Sequence, residues 1–380
     1  MKIITIVGAR PQIIKAAAFS RAIKENFPSI KEIIVHTGQH YDNNMSQVFF
    51  EELNIPHPTI NLQVGSSSHG EQTALMIEKI EKVLLDYKPT AVLVYGDTNS
   101  TLATAIAASK IHVPIVHVEA GLRSFNKMMP EEINRIMCDH ASTLLFSPTV
   151  TGYNNLLNEG FSKQLSDSAN ADSPNIYHCG DVMYDNSIYF SKLSAEKSSI
   201  INDLEIENES FILATVHRND NTDDPIKINE LFSTFIKITE LHNIKIILPL
   251  HPRTEKMMSK LLNADLKSKL DNSNLLKIIP PASFLDIIAL EKNSSLVITD
   301  SGGVQKEAYF FKKPCIILRP QTEWVEIVET KSAVIADTDS KLILKSTEDF
   351  LNNKNLVFPP VFGDGNAGNF IASELINQFS

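Results

Sequence analysis

Short, continuously apolar runs alternate with longer amphipathic stretches along the first 150 residues. The runs predict strands at Lys2–Val7, Ile33–His36, Ala91–Tyr95 and Ile115–Val118. The amphipathic stretches predict helices at Ile13–Lys24, Glu71–Asp86 and Thr101–Lys110. Because the strand runs lack an alternating polar face, they favour a parallel sheet that helices cover on both sides.

A second series of the same kind follows a loop at residues 162–175, which is rich in Ser, Asp and Asn and typical of the surface near a domain boundary. This series predicts a helix at Lys227–Leu241 and strands at Phe211–Thr215, Lys245–Leu248, Leu275–Ile279, Leu296–Thr299 and Cys315–Leu318. The predicted fold class is therefore α/β, with two Rossmann-like, doubly wound domains that face each other across an interdomain cleft. Ligands of such sheets bind beyond the carboxyl ends of the strands.

Composition narrows the classes of function. The 380 residues suit two domains, and 43% hydrophobic with 21% charged residues is typical of a soluble globular protein. No apolar run approaches the ~18 residues of a membrane span. A net charge of −10 argues against a nucleic-acid partner, since such proteins present basic surfaces to phosphates. Cys138, Cys179 and Cys315 show no zinc, redox or disulfide spacing, which favours the reducing cytoplasm.

The segment from Leu296 to Glu307 has the order of a strand, a small-residue turn and a helix. Gly302 and Gly303 let a phosphate approach the backbone, and the helix start offers free N–H donors, to which Ser301 adds a hydroxyl. Glu307, about one turn along the helix, could accept hydrogen bonds from ribose hydroxyls. The alternative is an ordinary strand–helix turn with a solvated glutamate. No strand is followed by G-x-G-x-x-G, so the fingerprint of a nicotinamide-binding domain is missing.

Two basic residues lie in the first predicted strand–helix turn. Arg10 is at the tip of this turn, and Lys15 follows about one turn into the helix. Together they could face a diphosphate across the predicted cleft. The alternative is that both are ordinary surface cations.

Acidic residues follow two neighbouring predicted strands. Asp97 and Glu119 each come just after a strand, so they should project from the same edge of one sheet. Glu131 and Arg135 follow on a predicted helix, four residues apart and therefore on one face. Acids that converge in a low-dielectric cleft would raise the pKa of at least one of them, as acid–base chemistry requires. The alternative is a set of helix caps and surface ion pairs.

Two histidines follow strands of the second series. His217 comes after Phe211–Thr215 and His251 after Lys245–Leu248, so both should face the cleft. A histidine at a loop tip is often merely solvated, and both interpretations stay open. No pair of histidines shows H-E-x-x-H or similar ligand spacing, which predicts a site without a metal.

Segments along nearly the whole chain resemble, in the same order, those of the non-hydrolysing UDP-N-acetylglucosamine 2-epimerases. The segments are Gly8–Lys15 (GARPQIIK), Thr37–Tyr41 (TGQHY), Gly96–Ala103 (GDTNSTLA), His117–Arg123 (HVEAGLR), Pro130–Arg135 (PEEINR), His217-Arg218, Thr299–Glu307 (TDSGGVQKE) and Phe362–Ala367 (FGDGNA). An ordered set of this extent is far more specific than any single motif.

The resemblance implies the two-domain fold shared with GT-B glycosyltransferases, UDP in the interdomain cleft, and a homodimer. It implies a first domain of residues 1–170, completed by a C-terminal helix at residues 364–380, and a second domain of residues 171–363. Phe284 matches the position beside the uracil. The residues placed around UDP are Arg10, His217, Phe284, Ser301, Gly302, Gly303 and Glu307. The residues placed around the reacting sugar are Lys15, Asp97, Glu119, Glu131, Arg135 and His217.

The implied reaction converts UDP-GlcNAc to UDP-ManNAc and supplies precursors of surface polysaccharides, with no cofactor. The C2 proton beside an acetamido group is too weakly acidic for direct removal. Cleavage of the C1–O bond gives C1 oxocarbenium character and so acidifies C2–H. UDP leaves, a carboxylate removes the C2 proton, and a 2-acetamidoglucal forms. A proton then returns to the opposite face of C2, and re-addition of UDP at C1 completes the inversion.

Some segments depart from the branch that acts on UDP-GlcNAc. Many of its members read GTRPE where this chain reads GARPQ. The loop Gln39–Met45 differs from the QHR-type loop that contacts the activator in one bacterial branch, which argues against allosteric activation by UDP-GlcNAc. Several segments look closer to the branch that acts on UDP-2,3-diacetamido-2,3-dideoxyglucuronate, and the choice between the two substrates stays open.

Three other functions compete with the epimerase. A GT-B glycosyltransferase would use the same UDP pocket together with an acceptor. The hydrolysing relative of the epimerases would release UDP and free N-acetylmannosamine. A non-catalytic binding protein is disfavoured, because acids facing the cleft would then only repel a diphosphate.

Overall fold

The computed structural model describes residues 1–38, 50 and 55–380, and helices and strands are numbered within these residues. They form two compact units, one of Met1–Ile188 with Pro360–Ser380 and one of Tyr189–Pro359. Each unit is built on one parallel sheet, which confirms the predicted α/β fold class. Within the described part of the chain, none of the helices has the length and apolar character needed to cross a bilayer.

The first unit contains a seven-stranded sheet. Its strands are β1 (Lys2–Val7), β2 (Lys31–His36), β3 (Ile60–Asn61), β4 (Ala91–Tyr95), β5 (Ile115–Val118), β6 (Leu144–Ser147) and β7 (Asn175–His178). The strand order is β3-β2-β1-β4-β5-β6-β7, and every pair is parallel. The helices are α1 (Arg10–Asn26), α2 (His69–Tyr87), α3 (Asn99–Lys110), α4 (Pro130–Ala141), α5 (Val150–Asn158) and the start of α6 (Val182–Lys197).

The second unit contains a six-stranded parallel sheet. Its strands are β8 (Phe211–Thr215), β9 (Lys245–Pro249), β10 (Leu276–Ile279), β11 (Leu296–Thr299), β12 (Cys315–Ile317) and β13 (Ala333–Ile335), in the order β10-β9-β8-β11-β12-β13. Its helices are α7 (Ile200–Asp203), α8 (Asn219–Thr222), α9 (Pro225–His242), α10 (Pro252–Leu261), α11 (Ala264–Asp271), α12 (Phe284–Asn293), α13 (Gly302–Phe310), α14 (Val325–Glu329) and α15 (Ser340–Asn352). The C-terminal helix α16 (Ala367–Phe379) packs on α1 in the first unit.

The apolar strand runs form the cores of both units. In the first unit, side chains of β1 and β4 pack against α2 and α3, where Ala103 and Ala107 let the helix come close to its neighbours. In the second unit, Phe232 and Phe235 of α9 pack against strands β8, β9 and β11. Strands buried on both faces need apolar side chains at every position, which is why the runs are continuous.

The sequence placed five strands at their observed bounds: β1, β4, β5, β8 and β11. It gave no prediction for β3, β6, β7 or β13. β7 pairs with β6 and so belongs to the first sheet, although it lies beyond residue 170, where the sequence divided the domains. The contacts divide the chain between Ile188 and Tyr189, within α6.

Each sheet has one position at which the strand order reverses. It lies between β1 and β4 in the first unit and between β8 and β11 in the second. The connections on the two sides of such a position run away from each other and leave a crevice at the carboxyl ends of the strands, where ligands bind.

Candidate functional site

Two neighbouring strands of the first sheet bring Asp97 and Glu119 to one edge. β4 and β5 pair in parallel with Tyr95 opposite Val118. The N–H of Gly96 donates to the carbonyl oxygen of Val118 at 3.0 Å. Both predicted acids therefore follow directly beyond the paired strand ends.

Lys15 of α1 forms an ion pair with Glu119, and the two side chains are only 15% and 10% exposed. Burial alone would lower the pKa of Lys15. The Glu119 carboxylate, with smaller effects of Asp97 and Asp181, outweighs burial and raises the pKa of Lys15 above its usual value. The ammonium group therefore stays charged where it faces Glu119.

Gly96 leaves the space in which this ion pair lies. Its φ is +61°, and a Cβ at this position would lie 3.0 Å from Oε2 of Glu119 and 3.4 Å from Nζ of Lys15. Glu119 itself has a φ of +73°, a left-handed conformation that few residues other than glycine adopt. Backbone strain of this kind clusters at functional sites, where the surrounding fold maintains it.

Arg135 of α4 holds Asp97 at the same edge. Its guanidinium forms ion pairs with Asp97 and, at 2.6 Å, with Glu132. Burial would lower the pKa of Arg135, but the two carboxylates outweigh it and raise the pKa. The neighbouring Asn134 donates from Nδ2 to the backbone carbonyl of Asp97 at 2.9 Å. Both the side chain and the backbone of Asp97 are thus held by α4.

The two adjacent glutamates of α4 have different environments. Glu131, the predicted residue, is exposed, and within the described residues no cation pairs with it. Glu132 is buried and accepts the N–H groups of Ser124 and Phe125, both at 2.9 Å, besides pairing with Arg135. Burial would raise the pKa of Glu132, but these hydrogen bonds and the arginine lower it. Glu132 was not among the predicted site residues, because two adjacent acids in the first turn of a helix differ only in the side of the helix on which they lie.

In the second unit, Asp300 connects two strand ends. It follows β11 and is fully buried. Its carboxylate accepts the backbone N–H groups of His217 at 3.0 and 3.1 Å and of Arg218 at 2.9 Å, and Nδ1 of His217 lies 3.2 Å away. Because β8 and β11 are neighbours, Asp300 fixes His217 beside the start of α13. The ring of His251, the other predicted histidine, lies with its centroid 6.0 Å from that of His217.

Ser301 and two glycines form the start of α13. Ser301 is the N-cap residue, and its Oγ accepts the N–H of Val304 at 3.4 Å. The N–H groups of a first helical turn have no intrahelical acceptor and are available to an anion. A Cβ at Gly302 would collide with the Glu323 carboxylate, whereas a Cβ at Gly303 would meet no described atom closer than Oγ of Ser301, at 3.9 Å. Gly303 therefore marks an open approach to the helix start.

The single tryptophan of the chain supports this turn. Nε1 of Trp324 donates to the carbonyl oxygen of Gly302 at 3.1 Å, and Nζ of Lys306 lies 4.0 Å from the centroid of the indole ring. Trp324 and Lys306 are both buried. Trp324 was not among the predicted site residues, because it lies outside the glycine-containing motif and reaches α13 from the loop after β12.

Glu307 of α13 interacts with a second acid, Glu291 of α12. Glu291 is fully buried, and Glu307 is half-buried. Burial raises the pKa of Glu291 well above its usual value, and the nearby charge of Glu307 raises it further. Glu291 therefore holds its proton at a pH where an ordinary glutamate is ionised. The carboxyl oxygens of Glu307, beside it on α13, can accept hydrogen bonds from hydroxyl groups.

The remaining predicted residues lie at helix starts. Phe284 begins α12 and packs edge-on against Phe190, with ring centroids 5.2 Å apart and an interplanar angle of 89°. Ser283 caps this helix by accepting the N–H of Asp286 at 3.2 Å. Arg10 is the first residue of α1 and is exposed.

Two predictions fall on residues 39–49, which lie outside the described part of the chain. They are the last residues of the Thr37–Tyr41 segment and the loop Gln39–Met45. In the described part, no group of three or more His, Cys, Asp or Glu side chains is arranged to hold a metal ion.

The chain is similar over its whole length to known epimerases. The family model described as UDP-N-acetylglucosamine 2-epimerase matches residues 21–376. A UDP-N-acetylglucosamine 2-epimerase homolog of Methanococcus maripaludis is 47% identical over 99% of this chain and 100% of its own. The UDP-2,3-diacetamido-2,3-dideoxy-D-glucuronate 2-epimerase of Pseudomonas aeruginosa is 45% identical over 99% of each chain.

A solved structure shows the same similarity in three dimensions. The UDP-GlcNAc 2-epimerase of Methanocaldococcus jannaschii in complex with UDP-GlcNAc and UDP is 40% identical, with a TM-score of 0.80 over 99% of both chains. Together with the family model and the relatives above 40% identity, this similarity establishes that the chain belongs to the UDP-N-acetylglucosamine 2-epimerase family.

Proposed function

We propose that this chain inverts C2 of a UDP-N-acetylhexosamine, UDP-GlcNAc to UDP-ManNAc, by elimination and re-addition of UDP through a 2-acetamidoglucal. One observation carries the proposal: Asp97 and Glu119 lie at one sheet edge, each paired with a basic side chain, in a chain of an epimerase family. C2 inversion needs groups that remove a proton and return one to the opposite face of the carbon.

The second unit binds the nucleotide in this proposal. The diphosphate lies at the start of α13, where the first-turn N–H groups of Gly302 and Gly303 and the Ser301 hydroxyl donate to it. Arg10 and His217 add donors to the diphosphate. The Glu307 carboxylate accepts the ribose hydroxyls, and Phe284 packs beside the uracil. The open space at Gly303 supports this assignment, since a phosphate must come within hydrogen-bond distance of the backbone.

The sugar reacts among side chains of the first unit, together with His217. The C1–O bond breaks and its electron pair leaves with UDP, while a carboxylate takes the C2 proton and the C–H electrons form the C1–C2 double bond. A proton then returns to the opposite face of C2, and an oxygen of UDP adds to C1. The residues that surround the sugar are Lys15, Asp97, Glu119, Glu131, Arg135 and His217.

A second substrate is favoured by a specific observation, the 45% identity to an epimerase that acts on UDP-2,3-diacetamido-2,3-dideoxy-D-glucuronate. That sugar differs from GlcNAc by an acetamido group at C3 and a carboxylate at C6. The bonds made and broken at C1 and C2 are the same. Only protein groups that contact C3 and C6 of the sugar can therefore distinguish the two substrates.

The test is incubation of the purified chain with each UDP-sugar, without an acceptor, followed by ¹H and ³¹P NMR. C2 epimerisation predicts that the C2 epimer appears as an intact UDP-sugar, and the relative initial rates identify the substrate. UDP with free N-acetylmannosamine would instead identify the hydrolysing activity. Turnover that begins only when an acceptor is added would identify a glycosyltransferase. No reaction of either UDP-sugar would contradict the proposal.

We further propose that the protein acts in the cytoplasm as a homodimer that supplies precursors of surface polysaccharides. The family resemblance supports the dimer and the role, and the scattered cysteines support a reducing compartment. Light scattering coupled to size-exclusion chromatography should give twice the chain mass of 42.3 kDa. A mass of one chain at micromolar concentration would contradict the dimer.

A further inference from the structure

Three buried charged side chains lie close to the two acids proposed to act on the sugar. They are His117 of β5, Asp139 of α4 and Arg123 of the loop after β5, with side-chain exposures of 0%, 0% and 1%. Nδ1 of His117 lies 2.6 Å from Oδ1 of Asp139, and Nη1 of Arg123 lies 2.7 Å from Oδ2 of the same carboxylate. The sequence predictions gave none of the three a role.

One end of this network contacts the backbone of Asp97. Nε2 of His117 lies 2.8 Å from the carbonyl oxygen of Gly96, which belongs to the peptide unit that joins Gly96 to Asp97. The imidazole therefore fixes the orientation of this peptide plane. Together with the hydrogen bond from Asn134 to the next carbonyl, it fixes the backbone on both sides of the Asp97 side chain.

The other end contacts the backbone just beyond Glu119. Oδ2 of Asp139 accepts the N–H of Gly121 at 3.1 Å. Gly121 has a φ of +79°, and a Cβ there would collide with the carbonyl oxygen of Gly152. Since the turn cannot be held by a side chain at position 121, Asp139 holds it through the backbone.

The partners of His117 require that it be charged. Both ring nitrogens face acceptors, a carboxylate and a carbonyl oxygen, so both must carry a proton. Burial would lower the pKa of His117, but the Cys138 sulfur and the Asp139 carboxylate raise it well above its usual value. Burial would raise the pKa of Asp139, but His117 and Arg123 lower it. Arg123 also donates from Nε and Nη2 to the partly exposed Glu159 carboxylate, at 2.6 and 2.7 Å. The fully buried part of the network thus consists of one carboxylate between two cations.

We propose that His117, Asp139 and Arg123 are positioning residues for epimerisation: as one buried ion triad they hold the backbone segments that carry Asp97 and Glu119 at the separation that proton transfer at C2 requires. This proposal rests on the function proposed above. A misplacement of about 1 Å between a proton donor and its acceptor slows transfer by roughly a hundredfold, so a device that fixes both segments has a direct effect on rate.

Stability alone explains this triad poorly. Buried ion pairs are often no more stabilising than apolar side chains of the same volume, because the charges lose their hydration. Here two of the three charged groups also make a directional hydrogen bond to the backbone: His117 donates to the Gly96 carbonyl, and Asp139 accepts the Gly121 N–H. Apolar side chains would fill the same space without fixing either segment.

The test uses two variants. His117→Phe keeps roughly the buried volume of the side chain and loses its hydrogen bonds. Arg123→Lys keeps the positive charge and loses the planar guanidinium group with its several N–H donors. His242→Phe is the control, because His242 ends α9 in the second unit and makes no ion pair or hydrogen bond with a side chain of the described residues. For each variant, kcat, KM, UDP affinity and the kinetic isotope effect of C2-deuterated substrate are measured. Circular dichroism verifies the fold.

Positioning predicts a fall in kcat of roughly tenfold to a hundredfold for His117→Phe, with UDP affinity within about twofold of wild type. It also predicts a larger C2 isotope effect, because proton transfer becomes more rate-limiting. His242→Phe should match wild type in every parameter. A folded His117→Phe or Arg123→Lys variant with unchanged kcat would overturn the proposal. A lower kcat with an unchanged isotope effect would do so too, since it would indicate only a smaller fraction of native protein.

A measurement on the resting protein separates this proposal from the proposed function. ¹⁵N NMR of the wild-type chain should show one histidine that keeps both ring nitrogens protonated well above the pH at which an ordinary histidine loses a proton, a signal that His117→Phe removes. If this signal is present and neither UDP-sugar reacts, the proposed function fails while the triad stands. If the substrates react and no such imidazolium exists, the positioning proposal fails alone.

Discussion

Gly96 and Glu119 are so close that a Cβ at residue 96 would lie 3.0 Å from Oε2 of Glu119, a contact that the carboxylate must move to relieve. The two residues lie at the ends of adjacent parallel strands, and Lys15 completes the contact from α1. The end of β4 therefore forms one wall of the space that holds the Glu119–Lys15 ion pair. This relationship makes the geometry of one proposed catalytic acid depend on a residue with no functional group.

Gly96→Ala should lose activity beyond what backbone strain explains. The new methyl group would displace the Glu119 carboxylate and add the strain of a left-handed alanine, roughly 1–3 kcal/mol. Gly65→Ala is a matched control, because Gly65 has a φ of +70° and no described atom within 4 Å of a new Cβ. We expect both variants to lose stability in urea and only Gly96→Ala to lose a large part of kcat. Equal kcat values for the two variants would show that the contact with Glu119 does not matter.

Asp97→Asn and Glu131→Gln should each lose turnover while UDP still binds. Both changes remove a carboxylate that can exchange a proton and leave the start of α13 intact, so we expect kcat to fall by roughly 10²- to 10⁴-fold. NMR follows turnover, and calorimetry follows UDP binding. Glu78→Gln, an exposed acid on α2, is the control and should keep both properties. Wild-type turnover in both Asp97→Asn and Glu131→Gln would remove these acids from the reaction.

Trp324→Phe should weaken UDP binding. The indole N–H holds the Gly302 carbonyl at the helix start, and loss of one such hydrogen bond corresponds to about 0.5–1.5 kcal/mol, or roughly a twofold to tenfold higher Kd. Tyr309→Phe is the control, since it also removes a hydrogen bond to a backbone carbonyl, at the other end of α13. Because Trp324 is the single tryptophan, UDP should also change the fluorescence of the wild-type chain. Unchanged fluorescence at saturating UDP, with equal Kd values in both variants, would contradict a role for this indole.

Glu291→Gln should flatten the pH dependence of stability. The pKa of Glu291 is raised in the folded state, so below the ordinary value of 4.5 both states hold the proton and stability is complete. As pH rises above that value, the unfolded chain ionises while the folded chain keeps its proton, and the free energy of unfolding falls. Glutamine cannot ionise, so the variant should gain stability relative to wild type as pH rises above the ordinary glutamate pKa of 4.5.

Urea unfolding across that pH range measures the effect, with the exposed Glu348→Gln as control. The control should parallel wild type. A Glu291→Gln profile as steep as that of wild type would mean that Glu291 is ionised in the folded protein, against the raised pKa.

The strands were predictable because burial on both faces leaves only apolar positions. β4 and β11 could be read to the residue for this reason. β3 has two residues and β13 three, too short for an apolar run to stand out. The residues of β7 fell beyond the predicted domain boundary because the polar loop before them is typical of such a boundary, and only their pairing with β6 shows which sheet they join.

Site residues that directly follow a strand could be predicted from the sequence. Site residues that reach the site from a neighbouring helix or loop could not. Asp97 and Glu119 stand just beyond strand ends, and the topology of a parallel sheet brings such positions together. Glu132, Trp324 and Asp139 act through one face of a helix or through a contact with a distant segment. Whether α4 turns Glu131 or Glu132 inward depends on the axial rotation of the helix, which packing decides.

Incubation of the wild-type chain with UDP-GlcNAc in D₂O, without an acceptor, tests C2 epimerisation most directly. Removal and return of the C2 proton predict that solvent deuterium enters C2 of the recovered UDP-GlcNAc and UDP-ManNAc, seen as a mass increase of one and as loss of the C2 proton signal. Formation of UDP-ManNAc that retains the original proton at C2 would contradict the proposed mechanism.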